Sequence, residues 1–359
     1  MTRMNYTLAG LTLALFALPA CDSKDDGDGS TTATSGTDTD ATGGTTATTG
    51  GTATTTDATT ETGTAGSTSE TGSTSETTGA GVCDPAIPTG ATAEGEACAD
   101  DAECASGLCL QFSNRAADSA GTCEATPANC GTRFSGTTFN IIDNSVVPNA
   151  SLNIVNALTA SVQGPDSVGF LMTTSGADGR FDATTTEAVM GGVGVVTLTQ
   201  AEGLFPTSTG LAAPVEGTAS TYAPGNALHD VWLAPESALM AWSDAMATDP
   251  AIDGSLLPLG VNGGVVGKVR ALDGSGLAGA TIVSETADSG AIVRYVSEDG
   301  TSVDPAATTT SSNGLFIILD PALAENFNAE VGGVAVNSEP GRAGTRAGFV
   351  FTVILDADS

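Results

Sequence analysis

A chain of 359 residues has room for more than one domain. Its 10 Lys and Arg stand against 42 Asp and Glu, a formal net charge of −32, so a phosphate backbone or an anionic lipid surface would be repelled and nucleic acid is excluded as an expected partner. The acidic residues are scattered rather than gathered in one patch, which suits solubility more than capture of cations.

The first element is a short apolar run, Leu8 to Leu18, preceded by Arg3 and followed by Pro19-Ala20-Cys21. This is the layout of a secretory signal, residues 1–20, with small residues at its cleavage site. The run is shorter than the roughly 20 apolar residues of a membrane span, and it meets the acidic Asp22, Asp25, Asp26 and Asp28. Leu18-Pro19-Ala20-Cys21 resembles the lipobox of bacterial lipoproteins, and the resemblance implies that Cys21 carries lipid and that the membrane is reached through it.

From Asp22 to Gly81 there is no Val, Leu, Ile, Met or aromatic residue. With nothing to offset the entropy of ordering, residues 21–81 read as a lipidated cysteine followed by a disordered Thr/Ser/Gly/Asp-rich stalk with a coil span of roughly 40–47 Å. Its hydroxyl density permits O-glycosylation.

Residues 82–130 hold Cys83, Cys98, Cys104, Cys109, Cys123 and Cys130. So short a stretch cannot build a sufficient apolar core, and an even set of cysteines in an exported chain predicts three disulfides, with 15 pairings open. Zinc is disfavoured because no Cys-x-x-Cys pair occurs and the single histidine is distant. The spacing through Gly95-Glu96-Ala97-Cys98, Asp100-Asp101, Cys104, Ser106-Gly107-Leu108-Cys109 and Gly121-Thr122-Cys123 resembles the Dickkopf-like cysteine-rich modules of bacterial surface lipoproteins.

Beyond Cys130, short alternating apolar runs are separated by Asp-Gly, Asn-Gly and Gly-Gly signals, the pattern of an all-β sandwich. A first copy, residues 131–233, opens with a strand from Gly136 through Phe139 and Ile141, turns at Asp143 and returns through Leu152-Asn153-Ile154-Val155. A second copy, residues 263–359, has a strand over Val265–Leu272, a turn at Asp273-Gly274, and strands at Ala280–Val283, Ala291–Val296, Leu315–Leu319 and Gly348–Leu355. Seven residues separate Asp143 from Ala150 and Asp273 from Ala280, and Asp178-Gly179-Arg180-Phe181 matches Asn313-Gly314-Leu315-Phe316. A repeat at a spacing of about 130 residues implies two domains of one kind. In the last strand Phe349, Phe351, Val353 and Leu355 share one face, while Val350 and Ile354 imply burial on both.

Gly267, Asp273-Gly274, Gly279-Ala280 and Asn313-Gly314-Leu315-Phe316 resemble the carboxypeptidase regulatory-like family, transthyretin-like Greek-key sandwiches. The first copy departs by one extra residue between Gly136 and Asp143 and by a long extension from Gly203 onward. The resemblance implies accessory, spacer or binding units and brings no catalytic residue. The expected fold is thus all-β, two tandem Greek-key β-sandwich domains after the stalk and the small disulfide-rich module.

Between the copies, residues 234–262 read as a helical linker, with one helix from Pro235 to Thr248. Pro suits its first turn, Glu236 complements the helix dipole, and Leu239, Trp242 and Met246 fall on one face. That stripe is expected to pack across the junction of the sandwiches, in a cluster begun by Trp232.

Chemistry-bearing motifs are sparse. His229 is followed by Asp230, Val231 and Trp232 rather than by a zinc-peptidase spacing, no Gly-x-Ser-x-Gly elbow presents a nucleophile, and Glu298-Asp299 sits at a Gly-containing turn. Asp26-Gly27-Asp28-Gly29 lacks the ligand spacing of a calcium loop. No catalytic residue, metal site or cofactor is expected. The reading is a non-catalytic lipid-anchored cell-envelope protein, at the outer membrane or cell surface, presenting its sandwiches for adhesion, recognition or structural support to a protein or glycan partner. The alternative is a ligand- or glycan-binding accessory component of a separate enzyme or transporter. A loop around Tyr222 to Ala227 is the candidate contact, and His229 is expected to be dispensable.

Overall fold

The computed structural model describes residues 90–113, 120–127, 131–187, 189, 194–210 and 226–358, with backbone alone for 226–229. The signal, Cys21, the stalk, Cys83, Cys130 and Tyr222 lie outside these. Among the described residues no helix is long and apolar enough to cross a membrane.

The cysteine module is a small sheet of β1 (Ala97–Cys98), β2 (Cys109–Leu110) and β3 (Gly121–Cys123), in the order β1-β3-β2. The first sandwich runs β4 (Arg133–Asn140), β5 (Ser151–Asn156), α1 (Ala157–Gln163), β6 (Leu171–Thr174), β7 (Arg180–Thr184), β8 (Val195–Gln200), β9 (Leu204–Phe205), β10 (Thr207–Gly210) and β11 (Asn226–Pro235). After α2 (Glu236–Met246) the second comprises β12 (Val265–Arg270), β13 (Ala280–Ser284), β14 (Ile292–Val296), β15 (Val303–Asp304), β16 (Leu315–Leu319), β17 (Glu325–Val331), β18 (Val334–Ala335), β19 (Gly341–Ala343) and β20 (Val350–Asp356). The fold is all-β, with two sandwiches as the sequence predicts.

The internal repeat holds at the level of strand pairing. β4 pairs antiparallel with β7 and parallel with β11, as β12 pairs antiparallel with β16 and parallel with β20. Likewise β5 pairs with β8 as β13 pairs with β17. The turns repeat in atomic detail. Asp143 and Asp273 each accept from the amide and hydroxyl of the serine two residues on, Ser145 and Ser275. Asp178 and Asn313 each accept an amide two residues on, and the glycines that follow them take φ of 76° and 71°, conformations a side chain would strain.

Two arrangements were not foreseen. The first is that β10 pairs parallel with β20, which joins the two copies into one sheet of nine strands, β15-β14-β16-β12-β20-β10-β8-β5-β6. Register then fixes which side chains share a face. One row reads Ile154, Thr197, Thr209, Thr352, Val266, Ile317, and the other reads Met172, Asn153, Leu198, Ser208, Phe351, Val265, Ile318, Val293. Sheet β7-β4-β11-β9 covers the first face, where Ile154 packs with Phe134, Phe181, Val231 and Leu233. β13 and β17 cover the opposite face, where Val265 and Ile318 pack with Ile282 and Phe327. The cores of the two sandwiches therefore lie on opposite sides of one shared sheet, and over β16 the first side is covered by a junction cluster that includes Phe139, Trp232 and Trp242, which explains why all five residues of Leu315–Leu319 are buried. Val350 and Ile354 likewise belong to one core and Val353 and Leu355 to the other, with Phe351 packed alongside these two, as the double-sided reading of that strand expects.

The second is α1, a helix that the sequence reading passed over. Its N-cap Asn156 accepts the Leu158 amide, and Ala160 packs with Val155 and Val196 on the outer face of the first sandwich. Strand β6 follows it and pairs with β5, whereas β14 in the second copy pairs with β16.

Helix α2 is shorter than predicted. It starts at Glu236, because Pro235 is extended and ends β11, and it stops at Met246. The predicted stripe packs as expected: Leu239, Trp242 and Met246 are buried with Trp232, Phe139, Val266, Leu315 and Ile317, across the junction. Trp242 Nε1 donates to Gly300 O at 3.0 Å, and Ser243 Oγ accepts the Leu259 amide, tying the linker down. Strand β12 ends at Arg270 rather than Leu272, since Asp273 draws the chain into its turn and leaves Leu272 exposed.

Candidate functional site

The β4–β11 ribbon turns one face to the first core and presents Ser135, Thr137, Asp230, Phe139 and Trp232 on the other, by the register Thr137 to Asp230 and Phe139 to Trp232. Three parts of the chain meet there. From the cysteine module, Phe112 O accepts from Thr137 Oγ1, Gln111 O accepts from Ser135 Oγ at 2.6 Å, and Ser113 Oγ donates to Asp230 Oδ2 at 3.2 Å. Arg180 lies over the Phe112 ring at 5.1 Å.

From the second sandwich comes Arg270, 3% exposed. Its Nε and Nη2 donate to Asp356 at 2.6 and 2.8 Å, its Nη1 lies 3.7 Å from Asp230 Oδ2, and its guanidinium lies 5.5 Å from the Trp232 ring. Asp230 is 1% exposed. Burying such a carboxylate is strongly unfavourable without compensation, and the guanidinium together with the Ser113 hydroxyl provides it. Phe139 and Trp232 stack beside it with ring centroids 5.1 Å apart.

Lys268, two residues before Arg270 and 2% exposed, reaches the first sandwich. Its Nζ donates to Ile141 O, Ile142 O and Asn144 Oδ1 at 3.2, 3.3 and 2.7 Å. Burial, with the nearby Arg270 charge, pulls its pKa down to about 8, opposed by Asp143. The anchoring turn is where the first copy carries its extra residue: Asn144 N bonds Asn140 O across four residues, whereas Gly274 N bonds Ala271 O across three. Asn144 takes a φ of 60° in the place of Gly274. The irregularity in the repeat thus forms the lysine's seat.

In the module Cys98 bonds Cys109 and Cys104 bonds Cys123. The sulfurs of Cys98, Cys104 and Cys109 lie within 4.8 Å of one another, but each is engaged in a disulfide and offers no thiolate to a metal. Asp101 accepts the Cys109 amide at 2.6 Å, and burial raises its carboxyl to about 6 against that bond. Cys83 and Cys130 lie outside the described residues.

Of the residues the sequence singled out, Trp232 joins this junction, Glu298 and Asp299 sit at a turn where Asp299 is held by Ser297 and Thr301, and His229 contributes a backbone position in β11 opposite Gly136. Sequence reasoning missed Asp230, Arg270, Asp356 and Lys268 as partners. The available signal was a charge interrupting an apolar strand, as in Val265-Val266-Gly267-Lys268-Val269-Arg270. The arrangement holds charges against one another and clamps three parts of the chain.

No protein-family profile matches the chain, and no curated protein does. Among solved structures, the chain is similar to hydroxyquinol 1,2-dioxygenase from Pseudomonas putida at 17% identity and a TM-score of 0.20, over 30% of this chain and 57% of that one. It is similar to the Bacillus anthracis TIE protein at 11% identity and a TM-score of 0.20, over 64% of this chain and 34% of that one. The shaft pilin SpaA of Lactobacillus rhamnosus GG is matched at 10% identity and a TM-score of 0.18, over 64% of this chain and 98% of that one. The chain thus spans about half of the dioxygenase and a third of the TIE protein, and likenesses at these scores carry no inference about its activity.

Proposed function

We propose that this is a non-catalytic protein of the bacterial cell envelope, anchored by lipid at Cys21 and presenting its sandwiches beyond an acidic stalk for adhesion, recognition or structural support. The observation that carries the reading is the junction of Ser113, Asp230, Arg270 and Asp356. It sets the buried charges of Asp230 and Arg270 where the module and both sandwiches meet and locks them together, which suits a stiff unit held at the end of a tether. The lipobox-like Leu18-Pro19-Ala20-Cys21 supplies the anchor. The test is fractionation of cells carrying the wild-type chain and Cys21→Ser, with mass spectrometry of the mature N-terminus. A lipid-modified Cys21, and release of the variant from membranes, are expected; an unmodified wild-type terminus with unchanged retention of the variant would overturn the anchor.

A further inference from the structure

The outer face of the first sandwich carries a shallow recess of about 380 Å³ that is open to solvent. Strands β6, β5 and β8 form its floor, with Pro165 and Pro206 at its sides. The register sets two rows across these three strands. Thr174, Ser151 and Gln200 stand side by side in one row, and Met172, Asn153 and Leu198 in the next. All three members of the first row are exposed, and Met172 is 78% exposed. Three strands span about 10 Å and the rows are separated by about 7 Å, from ordinary strand spacing and rise. That is the footprint of one or two sugar rings.

The chemistry of the rows narrows the ligand. Two hydroxyls and a carboxamide offer donors and acceptors together, as a polyol requires. Met172 and Leu198 offer an apolar strip for a C–H face, while Asn153 is held aside by donating from Nδ2 to Ser167 O at 2.8 Å. None of the eleven lining residues is charged, in a chain of net charge −32. An anion would find no cation there and a cation no carboxylate, so the lining selects a neutral ligand. The polar row lies on the face of the sheet and runs across the strands, which favours a compact ligand over a peptide added along the β6 edge.

We propose that this face of β6, β5 and β8 is a binding site for a neutral saccharide, with Thr174, Ser151 and Gln200 bonding its hydroxyls and Met172 and Leu198 packing on its ring. The site stands independently of the lipid anchor. The test is saturation-transfer difference NMR on the full chain with glucose, galactose, mannose, N-acetylglucosamine and their β-linked disaccharides, with glucuronate and a short apolar β-strand peptide as comparators. Transfer to the ring protons of at least one neutral sugar is expected, weakened tenfold or more in both Gln200→Ala and Met172→Ala. Both side chains are exposed, so circular dichroism should not change. The proposal is overturned by transfer to none of the neutral sugars, by equal transfer to glucuronate, by binding of the peptide alone, or by sugar binding that survives both substitutions. Failure here would leave the outcome of the Cys21→Ser fractionation untouched, and the converse holds.

Discussion

Gly267 and Phe316 face each other across β12 and β16, and a Cβ built on Gly267 would lie 2.0 Å from Cζ of the Phe316 ring. The first sandwich repeats the pairing as Gly136 opposite Phe181. A ring laid over a strand needs that strand to lack a side chain there, which is the physical content of the glycine in the repeated motif. Gly267→Ala should therefore destabilise the protein by about 1–3 kcal/mol through overpacking. Combined with Phe316→Leu, the loss should be less than the sum of the two single losses, read from denaturant unfolding. Simple additivity would show that the ring does not set the constraint.

Removing Arg270 leaves Asp230 buried with only the Ser113 hydroxyl and its remaining partners. Arg270→Ala is expected to cost about 3–5 kcal/mol, the range for breaking a buried pair. Asp356→Asn should cost much less, because Asp356 is 53% exposed. Arg270→Lys should recover only part, since a single ammonium cannot reproduce the two-pronged contact with Asp356. Equal effects for Arg270→Ala and Asp356→Asn in chemical denaturation would contradict the role given to Asp230.

Lys268 makes stability depend on alkaline pH. Its folded pKa of about 8 lies below the ordinary lysine value of 10.5. Between these values the unfolded chain holds a proton that the folded chain has released, so the contribution of Lys268 to stability rises with pH from about 8 to about 10.5 and is lost as pH falls through 8. The groups facing Nζ are Arg270, which lowers its pKa, and Asp143, which raises it. Unfolding free energies of wild type and Lys268→Met, measured across this window, should therefore diverge in favour of the wild type as pH rises; parallel profiles would show that the amine is not desolvated.

The disulfides Cys98–Cys109 and Cys104–Cys123 close loops of 11 and 19 residues, each worth about 3 kcal/mol in a chain-entropy account. Reduction should unfold the module first, while the tryptophan near-UV signal of the sandwiches persists to a second transition, because Trp232 and Trp242 lie in cores without cysteine. Thiol counting on the exported protein should find all six of Cys83, Cys98, Cys104, Cys109, Cys123 and Cys130 oxidised. A single cooperative loss of both signals on reduction would mean that the Ser113–Asp230 docking couples the module to the sandwiches more strongly than the disulfide loops alone.

Local signals carried most of the elements. The aspartates that open the turns, the glycines or asparagine at positive φ, the alternating apolar runs and the Leu239-Trp242-Met246 stripe were legible because each acts on its own few residues. Even the doubly buried final strand could be read, since Val350 and Ile354 interrupt an otherwise one-sided pattern. The joining of the two sandwiches was not legible. Thr207-Ser208-Thr209-Gly210 has no apolar run to mark it, and its partner Val350–Thr352 lies more than 140 residues away. Backbone hydrogen bonds between strands do not depend on side-chain identity, so such a pairing leaves little trace in either segment. The same holds for Asp230 with Arg270 and for the three-strand row of Thr174, Ser151 and Gln200. Composition and periodicity act within a window of the chain and determine which strands form and which side of each is apolar. Which strands become neighbours, and hence which polar side chains meet, is decided by how both cores are filled at once, and only the tertiary structure records that.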